Sequence, residues 1–417
     1  MIKRKKLLEL RDSLKNKEIT ILTGARQSGK TTLLKVLESE LKAAGGKTLF
    51  LNLDIEADNI HFKSQEGLLR KIRLEIGNNG YVFIDEIQRK ENAGIFLKGL
   101  YDQNLPYKFI VSGSGSLELK EKIHESLAGR KRLIELSTIS FEEAVNFRTD
   151  YKYEDRLEEF FSIEHDKTDA LLADYLAFGG YPRVVLADRT EEKIRVINEI
   201  YQSYLEKDIR FLLDIKKTEA LTNLLRLIAA QSGSLTNISE LSSTLGISKA
   251  TVQNYLWYFQ KTYIVKKSAP FHANIRKEIT KSPVFYFSDI GLKNFGTGDF
   301  GHISVNHIGH IFENFIYTIL HERLEYSSSE INFWRTKDGA EVDFIIKTGG
   351  CTLPVEIKYK RLKKPEITRS LHSYIAAYQP ERAVVVNLDF NAEIETGKTK
   401  VYFLPFYELI GNKFDLQ

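Results

Sequence analysis

Cysteine is almost absent. Cys351 is the single one in 417 residues, so no internal disulfide can form, and a reducing, cytoplasmic setting is expected. Long apolar runs are absent too: no stretch approaches the roughly 18 apolar residues of a membrane span. The basic start MIKRKKLLELRDSLKNKE interleaves Leu7, Leu8, Leu10 and Leu14 with charges, as a surface helix does and a signal peptide does not. These absences predict a soluble intracellular protein with no membrane partner. Internal repeats and low-complexity linkers are also missing, which leaves domains packed in series. Nor is there a large charge imbalance. With a net charge of +4, any surface for nucleic acid must be local.

A chain of this length exceeds one hydrophobic core and suggests about two to four domains. Short apolar strand signals at residues 19–22, 48–53, 81–84, 108–111 and 132–136 alternate with helical patterns, as in a parallel sheet with crossover helices. From about Phe141 to Leu227 the strand signal stops and charged, aromatic-rich helices take over. Strand signals return at residues 331–335, 341–347, 353–358, 383–386 and 400–403, after the amphipathic helix GHIFENFIYTILHERLE.

The segment GARQSGKTT comprises Gly24, Ala25, Arg26, Gln27, Ser28, Gly29, Lys30, Thr31 and Thr32. It fits the phosphate-binding loop pattern G-x-x-x-x-G-K-[ST] and lies between a predicted strand and a predicted helix. Glycines let backbone amides close on phosphates at the positive end of a helix dipole. Lys30 would reach the β- and γ-phosphates of ATP, and the Thr31 hydroxyl would hold Mg²⁺. In YVFIDEIQ, an apolar strand ends in Asp85 and Glu86. Asp85 is placed to orient the Mg²⁺ shell and Glu86 to activate the attacking water.

On these motifs, residues 19 to about 143 resemble the AAA+ ATPases, in particular a bacterial and archaeal branch with a G-x-R-Q-x-G-K-T-T loop. The resemblance implies a polar residue that senses the γ-phosphate after the next strand, matched by Ser112, with Ser114 as the alternative. It implies an arginine before the fifth strand, matched by Arg130, acting on a neighbouring subunit's nucleotide in a homo-oligomer; an ordinary structural arginine is the other reading. FGGYPRVV resembles the family's lid signature, and Arg183 would lean on the γ-phosphate or simply belong to a helix start.

ISELSSTLGISKATVQNYLWYFQKT has the layout of a helix-turn-helix. Ile238, Leu241 and Leu245 line one helix, Gly246 turns, Ser248 caps, and Ala250, Val252, Tyr255, Leu256 and Phe259 form the second helix's buried stripe. Lys249, Thr251, Gln253 and Asn254 occupy the positions from which recognition helices contact DNA. The strands that follow would make a wing. Lys249, Lys261, Lys266 and Lys267 favour a nucleic acid, although such modules also serve in protein packing.

In AEVDFIIKTGGCTLPVEIKYK, two strands joined by a Gly-Gly turn bring Asp343, Glu356 and Lys358 toward one face, with Glu313 upstream on a helix. Charged residues on a half-exposed hairpin would read the same way. The order E…D…E-x-K resembles the PD-(D/E)XK, or restriction-endonuclease-like, fold, with Val342 in place of the proline. That resemblance implies carboxylates holding Mg²⁺ or Mn²⁺ and a lysine stabilising phosphodiester charge. Lys360, Arg361, Lys363 and Lys364 would suit a nucleic-acid backbone.

The whole chain is thus similar to a recurrent architecture of α/β class. It reads as a P-loop AAA+ ATPase core (residues 1–143), a helical lid (144–220), a winged helix-turn-helix (221–300) and an α/β restriction-endonuclease-like domain (301–417). An ATP-hydrolysing switch coupled to DNA binding, and to DNA cleavage, is one expectation. The other is a nucleotide-regulated interaction protein whose C-terminal modules only dock.

Overall fold

The five early strand signals form β1 (Ile19–Gly24), β2 (Thr48–Asn52), β3 (Gly80–Asp85), β4 (Tyr107–Ser112) and β5 (Lys131–Leu136). They pair in parallel in the order β2-β3-β4-β1-β5. Alternate side chains feed two cores. Ile19, Ile21, Val82 and Ile84 pack against the helices Gln65–Ile76 and Ala93–Asp102, while Leu22 and Phe83 pack against Lys30–Ala43 on the other face. Fully burying each such side chain contributes about 1.5–3 kcal/mol. This order also has a chemical consequence. Because β4 is inserted between β1 and β3, the carboxyl ends of all three strands lie side by side, where open parallel sheets bind their ligands.

The computed structural model describes residues 1–113, 126–204, 218–272, 281–411 and 413–416; Ser114 lies outside them. Beyond β5 the described chain is helical to Ala230, as the loss of strand signal predicts. Ser140 opens the helix Phe141–Arg148 with a reciprocal capping box to Glu143. The helices of this segment divide between two cores. Phe141, Phe161, Leu172 and Leu176 pack with Ile311, Phe315 and Phe344, far along the chain. Tyr181, Ile197, Ile200 and Tyr204 instead pack with Leu224, Leu256 and Phe259, and with Ala25 of the phosphate-loop motif.

The helix Ile238–Leu245 ends at Gly246, whose φ of 62° is the left-handed stop. The Ser248 hydroxyl accepts the Thr251 amide at 3.1 Å and starts Lys249–Lys261. Val252, Tyr255, Leu256 and Phe259 are buried as expected, but Ala250 is exposed, one position off the stripe. The antiparallel ribbon β6 (Val265–Ser268) and β7 (Val284–Phe287) follows.

The C-terminal sheet runs β12-β13-β11-β10-β9-β8, with β8 (Glu330–Arg335), β9 (Glu341–Thr348), β10 (Cys351–Ile357), β11 (Arg382–Asn387), β12 (Ala392–Thr396) and β13 (Thr399–Pro405). Five of its strands coincide with sequence signals. The sixth, β12, is an edge strand, AEIET, with both glutamates exposed and no apolar run to announce it. The ribbon is stitched to the β8 edge: the Phe271 amide donates to the Phe333 carbonyl at 2.6 Å and Ser268 Oγ to Ile331 at 3.0 Å.

Candidate functional site

The loop after β1 is shaped by steric necessity. A Cβ at Gly24 would sit 2.1 Å from the Leu136 carbonyl oxygen of β5, so only glycine lets the two strands close. Gly29, at φ 97°, precedes the helix Lys30–Ala43, which has no side-chain cap, and its first amides face the loop. Lys30 is buried, its Nζ donating to the carbonyls of Gly24 (3.1 Å) and Ala25 (2.7 Å). Its ammonium therefore lies folded over the loop's own backbone.

Across the sheet's carboxyl edge, Thr31 Oγ1 donates to Asp85 Oδ2 at 2.7 Å, and the Ser112 hydroxyl donates to Asp85 Oδ1. Residues from β1's loop, β3 and β4 are thereby brought together on one carboxylate. Glu86 stands beside it in the left-handed region, φ 59°, an uncommon conformation for a non-glycine and one found at functional sites. Burial, and next the Asp85 charge, push the Glu86 carboxyl above its usual range, while the Gln88 amide donates to it. The donor set fits Mg²⁺-ATP, and one observation points to a ligand: Ser28 Oγ is buried in the loop with no hydrogen-bond partner. Thr32 is exposed on the helix's outer side, and Ala25 is buried in a core.

Three arginines differ in what they reach. Arg183 Nη1 donates to Glu199 (2.8 Å) and to Gln27 Oε1 of the loop (3.4 Å), so the structure does bring it beside the loop. Arg130 lies at the opposite edge of the sheet: it precedes β5, its carbonyl accepts the Ile19 amide, and its Nε pairs with Asp102 at 2.8 Å. Six residues of β5, at about 3.3 Å each, separate it from the loop by roughly 20 Å, too far to act on its own subunit's site. Arg4 was missed by sequence reading. Its guanidinium donates to the Ser28 carbonyl at 2.9 Å, to Ser137 at 2.7 Å and to Glu143 at 3.1 Å. Only the basic cluster at the start of the chain signalled it, and nothing in the sequence ties that cluster to the loop.

Two tyrosines from later in the chain also reach β1 and its loop. Tyr204 Oη accepts the Arg26 amide at 3.1 Å, and Tyr263 Oη, just before β6, donates to Thr23 Oγ1 at 2.7 Å. Lys266 of β6 pairs with Glu135 of β5 at 3.1 Å. That pairing corrects one expectation: Lys266 is turned inward, whereas Lys249, Gln253, Asn254 and Lys267 are exposed. Lys261 lies over the Trp257 ring at 5.4 Å.

The C-terminal carboxylates Glu313, Asp343 and Glu356 lie near enough to act on one another's charge. Among the described residues no three His, Cys, Asp or Glu side chains are placed to share a metal ion. Each expected ligand is instead engaged by another group of the protein. Glu313 Oε1 accepts from Tyr286 Oη (2.7 Å), Asp343 Oδ2 accepts the Ile357 amide (2.7 Å), and Glu356 accepts from Lys358 (2.7 Å) and Thr368 (2.7 Å). Val342 and Phe344 do not share a face. A bulge opposite Asn332 and Trp334 puts them in different cores and re-aims Asp343 between them. Burial, then the charges of Glu313 and Glu356, hold the Asp343 carboxyl well above the usual range. Arg361 is not free for a nucleic-acid backbone, since it pairs with Asp169 and Asp389; Lys363 and Lys364 are exposed.

With this geometry in place, the comparisons with known proteins become informative. Residues 16–145 match the AAA domain. Residues 169–300 match a domain of unknown function (DUF8612) and residues 308–408 another (DUF4143). An uncharacterized protein of Mycobacterium tuberculosis is 26% identical over 381 residues, 90% of this chain and 78% of that protein. One from Methanocaldococcus jannaschii is 27% identical over 391 residues, 92% and 84% of the two chains. The Aeropyrum pernix ORC1 protein in complex with DNA is 14% identical, with 70% of this chain and 91% of that one covered, at a TM-score of 0.30. AMPPCP-bound DnaA from Aquifex aeolicus is 15% identical, covering 61% and 86%, at 0.26. At such scores the structural likeness carries no functional weight. The AAA domain match and the parallel five-stranded sheet agree on a P-loop α/β fold for the first part of the chain.

Proposed function

We propose that the protein is an ATPase whose nucleotide state is coupled to a DNA-binding C-terminal half. The observation that carries the first part is the convergence of Thr31, Asp85 and Ser112 beside Lys30 and Glu86. In this reading the amides of Gly24 to Thr32 and the Lys30 ammonium hold the ATP phosphates. Thr31 and Asp85 hold Mg²⁺, which supplies charge neutralisation when bound. Glu86 accepts the proton of the attacking water, and Ser112 and Arg183 sense the γ-phosphate. The working divisions are residues 1–143 for the core, 144–220 for the lid, 221–300 for a winged helix and 301–417 for a restriction-endonuclease-like fold. In this setting Arg4 positions the loop through Ser28. Arg4→Ala should raise KM for ATP about tenfold with a smaller change in kcat, since it removes a charge-assisted bond to loop backbone. Steady-state kinetics showing an unchanged KM would remove Arg4 from this role.

Arg130, too far from its own loop, is assigned to a neighbouring subunit's nucleotide. Specific ATPase activity should then fall on dilution, and Arg130→Ala should lose activity without losing ATP affinity. Activity constant down to the monomer range would return Arg130 to its ion pair with Asp102.

The exposed Lys249, Gln253 and Asn254 at the start of the second helix support DNA binding. The C-terminal carboxylates are assigned to a binding surface, because Lys358 and Thr368 already satisfy Glu356. The same observation favours a second reading, in which both C-terminal modules dock proteins. Assays with Mg²⁺ or Mn²⁺ on single-stranded, duplex and branched DNA should show no cleavage that Asp343→Ala removes. Metal-dependent cutting lost in Asp343→Ala would instead establish a second metal site at Asp343, Glu356 and Glu313.

A further inference from the structure

A cavity of about 490 Å³ opens between the helices Thr218–Ala230 and Ile290–Thr297 and the start of Ile308–Arg323. Lys293, only 4% exposed, lines it together with Arg226, His307 and His310. Among the described residues no hydrogen bond or ion pair holds the Lys293 ammonium. The nearby acids are committed elsewhere. Asp299, also in the lining, accepts from Thr297 Oγ1 (2.8 Å) and His307 Nδ1 (2.9 Å), and Glu313 accepts from Tyr286. A buried ammonium without a partner is costly and is usually matched by something the fold leaves room for.

A second, independent feature points the same way. The 16-residue helix Ile308–Arg323 begins at His307 with no side-chain cap, and His307 and His310 of that first turn line the cavity.

We propose that this cavity binds a phosphate monoester, held by Lys293 and Arg226 at the amino end of the helix Ile308–Arg323. Two cations balance a dianion, whereas a single carboxylate would leave one cation unmatched. The three-way set of guanidinium, ammonium and helix amides also suits a tetrahedral oxyanion. Burial draws the Lys293 ammonium down to about 8, so it still carries most of its charge near neutral pH, and a bound anion would favour that charged form. The phosphate could be the 5′ end of a nucleic-acid strand or a small free phosphomonoester. Neither source depends on the ATPase coupling proposed above.

The full chain carrying Lys30→Ala, which removes the phosphate-loop lysine, is titrated without divalent cations onto 3′-labelled single strands with a 5′-phosphate or a 5′-hydroxyl. The 5′-phosphate should gain about tenfold in affinity, and both Lys293→Met and the exposed Arg226→Gln should erase most of that gain. If the two strands bind alike, calorimetry with inorganic phosphate and ribose 5-phosphate should show binding that the same substitutions remove, which identifies the small-molecule source. Should neither phosphate probe depend on Arg226 or Lys293, the proposal is overturned. Because Arg226 lies at the surface, its variant keeps the test decisive even if Lys293→Met fails to fold.

Discussion

Replacing Lys30 by alanine should abolish ATP hydrolysis, lowering kcat/KM by about 10³-fold or more, roughly 4 kcal/mol. Lys30 is buried, and its ammonium is held only a carbonyl's distance from where the loop amides converge. Alanine removes the buried cation that donates to the loop's own carbonyls, and the uncapped helix amides alone cannot offset the charge of the β- and γ-phosphates. The fold should survive, since the loop is also held by Arg4 at Ser28 and by Tyr204 at Arg26. Hydrolysis at the wild-type rate in this variant would refute the loop's assignment.

Glu86→Gln should behave differently. ATP affinity is expected to remain within a few-fold of the wild type, while turnover falls by about 10²–10⁴, the usual contribution of a general base. The amide keeps the shape and the contact with Gln88 but cannot accept a proton. Asp85, which Thr31 and Ser112 share, is untouched by the change. Equilibrium binding of ATP and single-turnover hydrolysis separate the two effects. A parallel loss of affinity and rate would make Glu86 a binding residue.

Much of this was legible in the sequence because it rests on local patterns. The loop, the acid pair after β3 and the caps at Ser248 and Gly246 depend on neighbours within a few residues, and all five early strands announce themselves by apolar runs. Long-range events were not legible. Arg4 reaches Ser28, Ser137 and Glu143 only because the start of the chain packs beside the loop. Ala250 fell outside the buried stripe because helix rotation is set by tertiary packing. The extra residue of β9 opposite Asn332 and Trp334 broke the alternation that would have kept Val342 and Phe344 on one face and Asp343 on the other. Lys266 looked like a surface cation until Glu135, 131 residues away in sequence, took it inward.

Those long-range contacts supply a physical route for the coupling proposed above. Tyr263 bonds Thr23 at the end of β1, and Lys266 bonds Glu135 on β5. Ser268 and Phe271 bond the β8 edge of the C-terminal sheet. A shift of β1 or β5 on ATP binding would therefore act directly on the ribbon that follows the helix Lys249–Lys261. Coupling requires only that the ribbon's arrangement differ in free energy between nucleotide states.

The most direct measurement is fluorescence anisotropy of a labelled DNA duplex titrated with Glu86→Gln protein, in ATP and in ADP, from about 0.05 to 0.3 M salt. Nucleotide-coupled DNA binding predicts an affinity that falls steeply with salt and differs at least about fivefold between the two nucleotides. Affinity that ignores salt, or that is the same in ATP and ADP, would contradict it.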